Sequence, residues 1–444
     1  MKPQHFSAPS TASASFPFSA DFLPVALEFT EKAARGFAFG EREIGGLVLA
    51  VEEIFTFYLE QLTGTTGIDL LLENEHYQLV LTLTFRMANP ELRAFNLTYR
   101  VDPDDEASLA GLGPMIAARS VTRLRLALGK SEQVSLQLTR EREYAPAVAT
   151  ALPTLDAHTA LRLYEPTRED TKHFGCLLAT CNNAFVPSFL ARPGMAADML
   201  ACGAIGALLA NRGDAMVGGL LWRRLSASTV ELFGPYLLYA DAQDEVLTRL
   251  LDEAVGLVSR TGARALMRRQ GPLLGFERFF DFLGELTLAE STTKASDNAG
   301  SVCTYYYRQL REESGGTVYA EARFAGFLRT AYERLSLPRR VRETSLQGEE
   351  SIVGQGGASV LSVDFESHHA LATLRLLATG RDLADNLAAH LILLEHKRMR
   401  NVIVEIDTGC NDSTAFAPVL YDAGFLPRLL LPEAGKGDLV LFSR

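Results

Sequence analysis

The chain has little of what disulfide scaffolds, metal clusters and membrane spans are built from. Its 444 residues include five cysteines, Cys176, Cys181, Cys202, Cys303 and Cys410. This odd, scattered set has no C-x-x-C pair, which excludes a disulfide framework and a structural zinc site and predicts a reduced, cytoplasmic protein. No run reaches the ~20 uninterrupted apolar residues of a membrane span. The most hydrophobic stretch, Leu200 to Trp222, is broken by Asn211-Arg212-Gly213-Asp214 and reads as two strands joined by a turn. Positive charge is also short: the net charge of -11 opposes a nucleic-acid footprint. His173 and Cys176, three residues apart on a helix, supply too few ligands for a metal. The Ser-, Ala- and Pro-rich start lacks the apolar core of a signal peptide, so residues 1–20 are expected to form a flexible tail.

What is present is ordinary globular material, 47% hydrophobic and 22% charged, at a length that calls for several cores. Over 21–144 the pattern reads helix, helix, hairpin, irregular segment, short helix, hairpin, a two-layer sandwich of helices on a mixed sheet. Residues 145–157, with Pro146 and Pro153, read as a linker. The order strand, strand, helix, strand, helix, strand, strand then occurs twice, over 158–315 and 316–444, so the class is α/β (α+β). The basic runs Arg339-Arg340-Val341-Arg342 and His396-Lys397-Arg398-Met399-Arg400 read as solvated faces at or beyond helix ends.

Leu49-Ala50-Val51-Glu52-Glu53-Ile54-Phe55-Thr56-Phe57 resembles the nucleotide-binding helix of the GHKL ATPases, and closely that of the anti-sigma-factor serine kinases. In that family the helix reads Glu-x-x-x-Asn, with the Glu polarising the attacking group and the Asn holding Mg²⁺. The resemblance makes Glu53 the base and places Phe57, which offers no oxygen to a hard cation, at the metal ligand. Ser108-Leu109-Ala110-Gly111-Leu112-Gly113-Pro114 resembles the family's phosphate-side glycines, with Gly111 and Gly113 before a helix N-terminus; such a pair equally marks a helix start. Met87-Ala88-Asn89-Pro90 stands where the adenine-binding Asp-x-Gly would fall.

Residues 160–310 resemble the GNAT N-acetyltransferase fold, and the tail resembles its later half, most specifically in Val419-Leu420-Tyr421-Asp422-Ala423-Gly424-Phe425 and more faintly in Phe280-Asp281-Phe282-Leu283-Gly284. Fusions of the two modules form a bacterial family, and Tyr332 to Pro338 and Gly424 to Asp438 carry the likeness. The resemblance implies that the strand Gly234-Pro235-Tyr236-Leu237-Leu238-Tyr239 splays from its neighbour to expose backbone to coenzyme A. The turn that should cradle the pyrophosphate has no glycine and carries Asp241, Asp244 and Glu245, while the second copy has Thr379-Gly380-Arg381-Asp382. Phe280 and Leu420 occupy the positions of the family's acid Tyr, so no catalytic residue is assigned.

The reading is a non-catalytic regulatory or ligand-sensing protein with a vestigial nucleotide site (Glu53, Gly111, Gly113) and a ligand cleft in the first GNAT-like unit (Gly234, Tyr236, Leu238, Tyr239, Asp241). No cofactor or metal is expected. The partner is expected to be a protein or a small molecule, with no nucleic acid and no membrane. The alternatives are an N-acyltransferase using acetyl-CoA or another acyl-CoA and a nucleotide-binding anti-sigma-type partner that binds ATP.

Overall fold

A computed structural model describes residues 10–444 except 63, 105, 130, 157, 182–184, 240–242, 274, 290–300, 314, 345–357 and 367–368. The first unit comprises β1 (Ser10–Pro17), α1 (Leu23–Gly36), α2 (Glu41–Leu59), β2 (Gly67–Asn74), β3 (Gln78–Arg86), α3 (Glu106–Leu109), α4 (Leu112–Ser120), β4 (Arg123–Leu128) and β5 (Gln133–Glu141). Its sheet runs β1-β2-β3-β5-β4. Two expectations are corrected here. Much of the supposed tail is strand β1, paired antiparallel with β2 from Ser10↔Asn74 to Pro17↔Gly67. Its small polar residues give no strand signal of their own; β2 supplies the ladder, and just beyond the strand Phe18 anchors it with its ring 4.5 Å from Phe55. The sheet is also not mixed: all four strand pairs are antiparallel, because hairpins join β2 to β3 and β4 to β5.

The second unit holds β6 (Leu161–Tyr164), α5 (Arg168–Leu178), α6 (Pro193–Ala201), β7 (Ile205–Arg212), β8 (Ala215–Arg224), β9 (Thr229–Leu237), α7 (Gln243–Ser259), β10 (Ala265–Gln270), β11 (Asp281–Leu288) and β12 (Ser301–Gln309). The third holds β13 (Gly316–Glu321), α8 (Ala322–Arg334), β14 (Arg339–Thr344), β15 (Val360–Glu366), β16 (Leu371–Ala378), α9 (Leu383–His396), β17 (Asn401–Asp407), α10 (Asn411–Thr414), α11 (Ala417–Asp422), β18 (Leu426–Leu431) and β19 (Leu439–Ser443). The sheets run β11-β12-β10-β9-β8-β7-β6 and β15-β16-β17-β19-β18, beside a parallel pair β13-β14.

The repeat is exact in pairing sense over five strands. β8-β9-β10-β12-β11 and β15-β16-β17-β19-β18 share one order, each with a single parallel pair, β9/β10 and β16/β17. The parallel pairs follow from crossover helices. α7 buries Val246, Leu247, Leu250, Leu251, Ala254 and Val258 along one face, each Val and Leu contributing ~1.5–3 kcal/mol of hydrophobic stabilisation, and so carries the chain back across the sheet. Where a second helix was expected over 273–283 there is only a turn at Phe276–Arg278 and then β11; Gly271-Pro272 leaves too short an apolar run for a helix. The basic run at 339–342 lies beyond the end of α8 as strand β14, and its Arg339 side chain is buried in ion pairs rather than solvated.

The units share cores. Met267, Leu283 and Tyr305 from the second sheet pack in one cluster with Ile403, Leu429 and Leu441 from the third. Val360 and Ala378 of the third unit belong to the core of the first. Among the described residues no helix is long and apolar enough to cross a membrane.

Candidate functional site

Of the three residues expected at a nucleotide site, Glu53 and Gly113 lie in contact, while Gly111 faces Tyr99. Helix α4 lies on α2 so tightly that a Cβ on Gly113 would stand 3.1 Å from Glu53 Oε2 and 3.2 Å from its carbonyl oxygen. A Cβ on Gly46, two turns earlier on α2, would meet the Ser120 carbonyl at 2.5 Å. At Gly111 it would fall 2.3 Å from the Tyr99 ring, whose hydroxyl donates to Ser108 O at 2.8 Å. These glycines therefore serve close helix packing. Glu53 is half-buried, and burial, followed by the neighbouring Glu52 charge, raises its pKa. Phe57 and Met87 are buried in the core, with the Phe57 ring 4.9 Å from Tyr58 and 6.4 Å from Phe95. Both positions are thus apolar core.

The cleft of the second unit is formed by the divergence of β9 and β10. Their parallel pairing runs from Thr229↔Ala265 to Leu232↔Arg268 and stops, while β9 continues to Leu237 and β10 to Gln270. The backbone groups released by the divergence are answered from within. Gly234 N–H donates to Gln270 Oε1 at 2.6 Å, and Gly234 O accepts from Arg268 Nε at 2.7 Å. Gln270 Nε2 donates in turn to the Phe185 carbonyl at 2.8 Å and to the Tyr236 hydroxyl at 2.7 Å. Gly234 is required here: its φ is 95°, and a Cβ would meet Tyr236 N at 2.7 Å.

Burial strengthens this plug. Arg268 and Gln270 are 4% and 5% exposed, and a bond in such a place is costly to leave unmade. Burial pushes the Arg268 guanidinium down to about 10; a second bond to Gly271 O at 3.0 Å and the Phe276 ring at 4.8 Å help to hold it. Tyr236 and Leu238 are buried, and burial raises the Tyr236 phenol. The linker closes the far side, with Tyr239 OH donating to Pro153 O at 2.7 Å. Asp241 lies outside the described residues.

The corresponding end of the third unit is joined to the first. Ser359 N–H donates to Asp382 at 2.7 Å, Asn96 donates to Ser359 O at 2.8 Å and accepts from Leu361 N–H at 3.0 Å, and Asn386 reaches both Asn96 and Ser359. Leu420 is buried in the core, and Tyr421 lies under Arg323 at 4.8 Å. Among the described residues no cluster of His, Cys, Asp and Glu could hold a metal. Gln270, Arg268 and Asn96 were not anticipated. The readable signal was Arg268-Arg269-Gln270 closing a strand otherwise due to be buried, since polar side chains placed there need partners.

No family model and no curated protein matches the chain. Solved structures of acetyltransferases are similar to about a third of it. An N-acetyltransferase from Staphylococcus aureus Mu50 is 10% identical, with 34% of this chain and 98% of that one covered and a TM-score of 0.28. Aminoglycoside 6'-acetyltransferase type Ii is 13% identical over 34% and 99%, TM-score 0.27. An acetyltransferase of the GNAT family from Streptococcus pneumoniae is likewise 13% identical over 34% and 99%, TM-score 0.27.

Proposed function

We propose that this chain is a non-catalytic regulatory or ligand-sensing protein, built from a GHKL-like unit and two GNAT-like units bounded near residues 144, 158 and 316, whose inherited sites are filled by its own side chains. The observation that carries the reading is the double capture of Gly234, N–H by Gln270 and carbonyl by Arg268. A pantetheine arm needs those same backbone groups, and taking them would strand two buried polar side chains, at ~1–3 kcal/mol each. The closed α2–α4 contact at Glu53 supports the same conclusion for ATP. The N-acyltransferase reading keeps one observation in its favour, the divergence of β9 and β10 itself.

Thermal unfolding with each ligand in turn separates the readings, because a ligand that binds only the folded state stabilises it by ~2.7 kcal/mol at a hundredfold excess over Kd. Neither Mg-ATP nor acetyl-CoA at millimolar concentration is expected to move Tm. A Mg²⁺-dependent rise with ATP would establish the nucleotide-binding partner, and a rise with acetyl-CoA the acyltransferase.

A further inference from the structure

A groove of about 1230 Å³ lies at the junction of the second and third units. Its walls are α9, strand β11 of the second sheet, and the start of β17. One face of α9 supplies Ala384, Ala388, Leu391, Ile392 and Glu395, a stripe at helical spacing; at 1.5 Å rise per residue it runs about 17 Å. Leu286 and Leu288 of β11 and Val402 of β17 continue the apolar surface. Ile392 is 57% exposed there, a large apolar side chain facing solvent inside a long channel rather than singly on a convex surface.

The charged side chains of the groove are three arginines and two carboxylates. Arg398, Arg400 and Arg444 line it. Arg444 is engaged, through Ala423 O at 3.1 Å and the Phe425 ring at 5.0 Å. Arg398 has no side-chain hydrogen bond or ion pair among the described residues, and its backbone is left-handed, φ 60°. It occupies the turn after α9 where glycine is favoured, with its N–H on Glu395 O at 2.8 Å and Met399 N–H on Leu394 O at 2.9 Å. The fold thus places an uncommitted arginine at a position that favours glycine. Of the carboxylates in the groove, Asp422 is held by Arg323 at 3.3 Å, and Glu395 stands one helical turn before Arg398.

We propose that this groove binds a long-chain carboxylate, its alkyl chain along the Ala384–Ile392 face of α9 and its head group at Arg398. An apolar wall of this length with guanidinium groups in the same groove matches a ligand that is mostly hydrocarbon and ends in one planar anion, since guanidinium presents a fork of donors to a carboxylate. The site is separate from the β9–β10 cleft, so acetyl-CoA binding and carboxylate binding succeed or fail independently.

The test is titration of the delipidated full chain with palmitate below its critical micelle concentration. A micromolar Kd is expected, with hexadecanol and hexadecyltrimethylammonium binding more weakly. Ile392→Asp, at an exposed site, should weaken palmitate about tenfold or more. Arg398→Gly should weaken it several-fold while leaving Tm equal or higher, because glycine relieves the left-handed backbone; this separates head-group recognition from folding. Absence of palmitate binding, binding indifferent to both substitutions, or equal binding of the cationic amphiphile would each overturn the proposal.

Discussion

Asp438→Ala is expected to lower unfolding free energy by about 3–5 kcal/mol, the cost of leaving several buried donors unsatisfied at once, at ~1–3 kcal/mol each. Asp438 is 1% exposed and accepts from Arg339 Nε at 3.0 Å, from the Tyr332 hydroxyl at 2.9 Å and from Glu433 N–H at 2.7 Å. Arg339 is also paired with Glu313, and Glu433 with Arg264 at 3.0 Å. The Glu433 carbonyl accepts from Ser226 and Thr229 of the second unit, so the cluster joins two units. Urea unfolding followed at the single tryptophan, the buried Trp222 of β8, reads the effect. A loss below about 1 kcal/mol, the range of an exposed pair, would show the cluster to be solvated.

The same cluster sets a pH dependence. Glu313 Oε1, Glu433 Oε2 and Tyr307 OH are buried without hydrogen-bond partners among the described residues. Burial, then the Glu313 charge, raises the Glu433 carboxyl, against the opposing pull of Arg264 and Arg339 and with Asp438 adding to the rise. A raised folded-state pKa means that the folded chain holds this proton more tightly. The stabilisation is therefore complete below the unfolded value of about 4.3 and is lost as pH rises through the folded value. Glu433→Gln, which keeps the neutral form at every pH, should flatten that part of the stability profile. An unchanged profile would show that Glu433 titrates normally.

Phe57→Asn, which places in α2 the Asn that the GHKL resemblance would call for, should have the second large effect, and it should be only destabilising. Removing a buried phenyl typically costs about 3–5 kcal/mol, and an amide left in its place adds an unpaired polar group. Phe57 is 5% exposed between Tyr58 and Phe95. No Mg-ATP affinity should return, because Met87 is core and α4 rests on Glu53. Phe57→Leu should cost less. Mg²⁺-dependent stabilisation of the Asn variant by ATP would mean that the pocket survives behind a single lost ligand.

The sequence made legible what local pattern decides. The helical stripes of α2 and α7 and the hairpin at β2–β3 rest on periodicity, which the fold obeys, and the doubled order holds for the strands though not for the second helix of the first copy. What it concealed depends on distant partners. Ser10–Pro17 becomes a strand only because β2 lies beside it. The 339–342 run is a strand because β13 pairs with it from Gly316↔Arg339 onward. The glycines at 111 and 113 were visible, but their use in bringing α4 onto α2 and the Tyr99 ring against the turn follows from tertiary contact. The apolar character of Phe57 and Met87 could be read directly. The capture of Gly234 by Gln270 and Arg268 could not, since it requires knowing that β10 ends opposite Gly234.

Isothermal titration of the full chain with acetyl-CoA at low salt, run beside Gln270→Ala, tests the filled cleft most directly. The account predicts no measurable heat of binding for the native chain, because Gln270 and Arg268 hold Gly234 on both sides. A micromolar Kd for the native chain, abolished by Leu238→Trp at the buried end of the cleft, would contradict it and show that the cleft binds acyl-CoA.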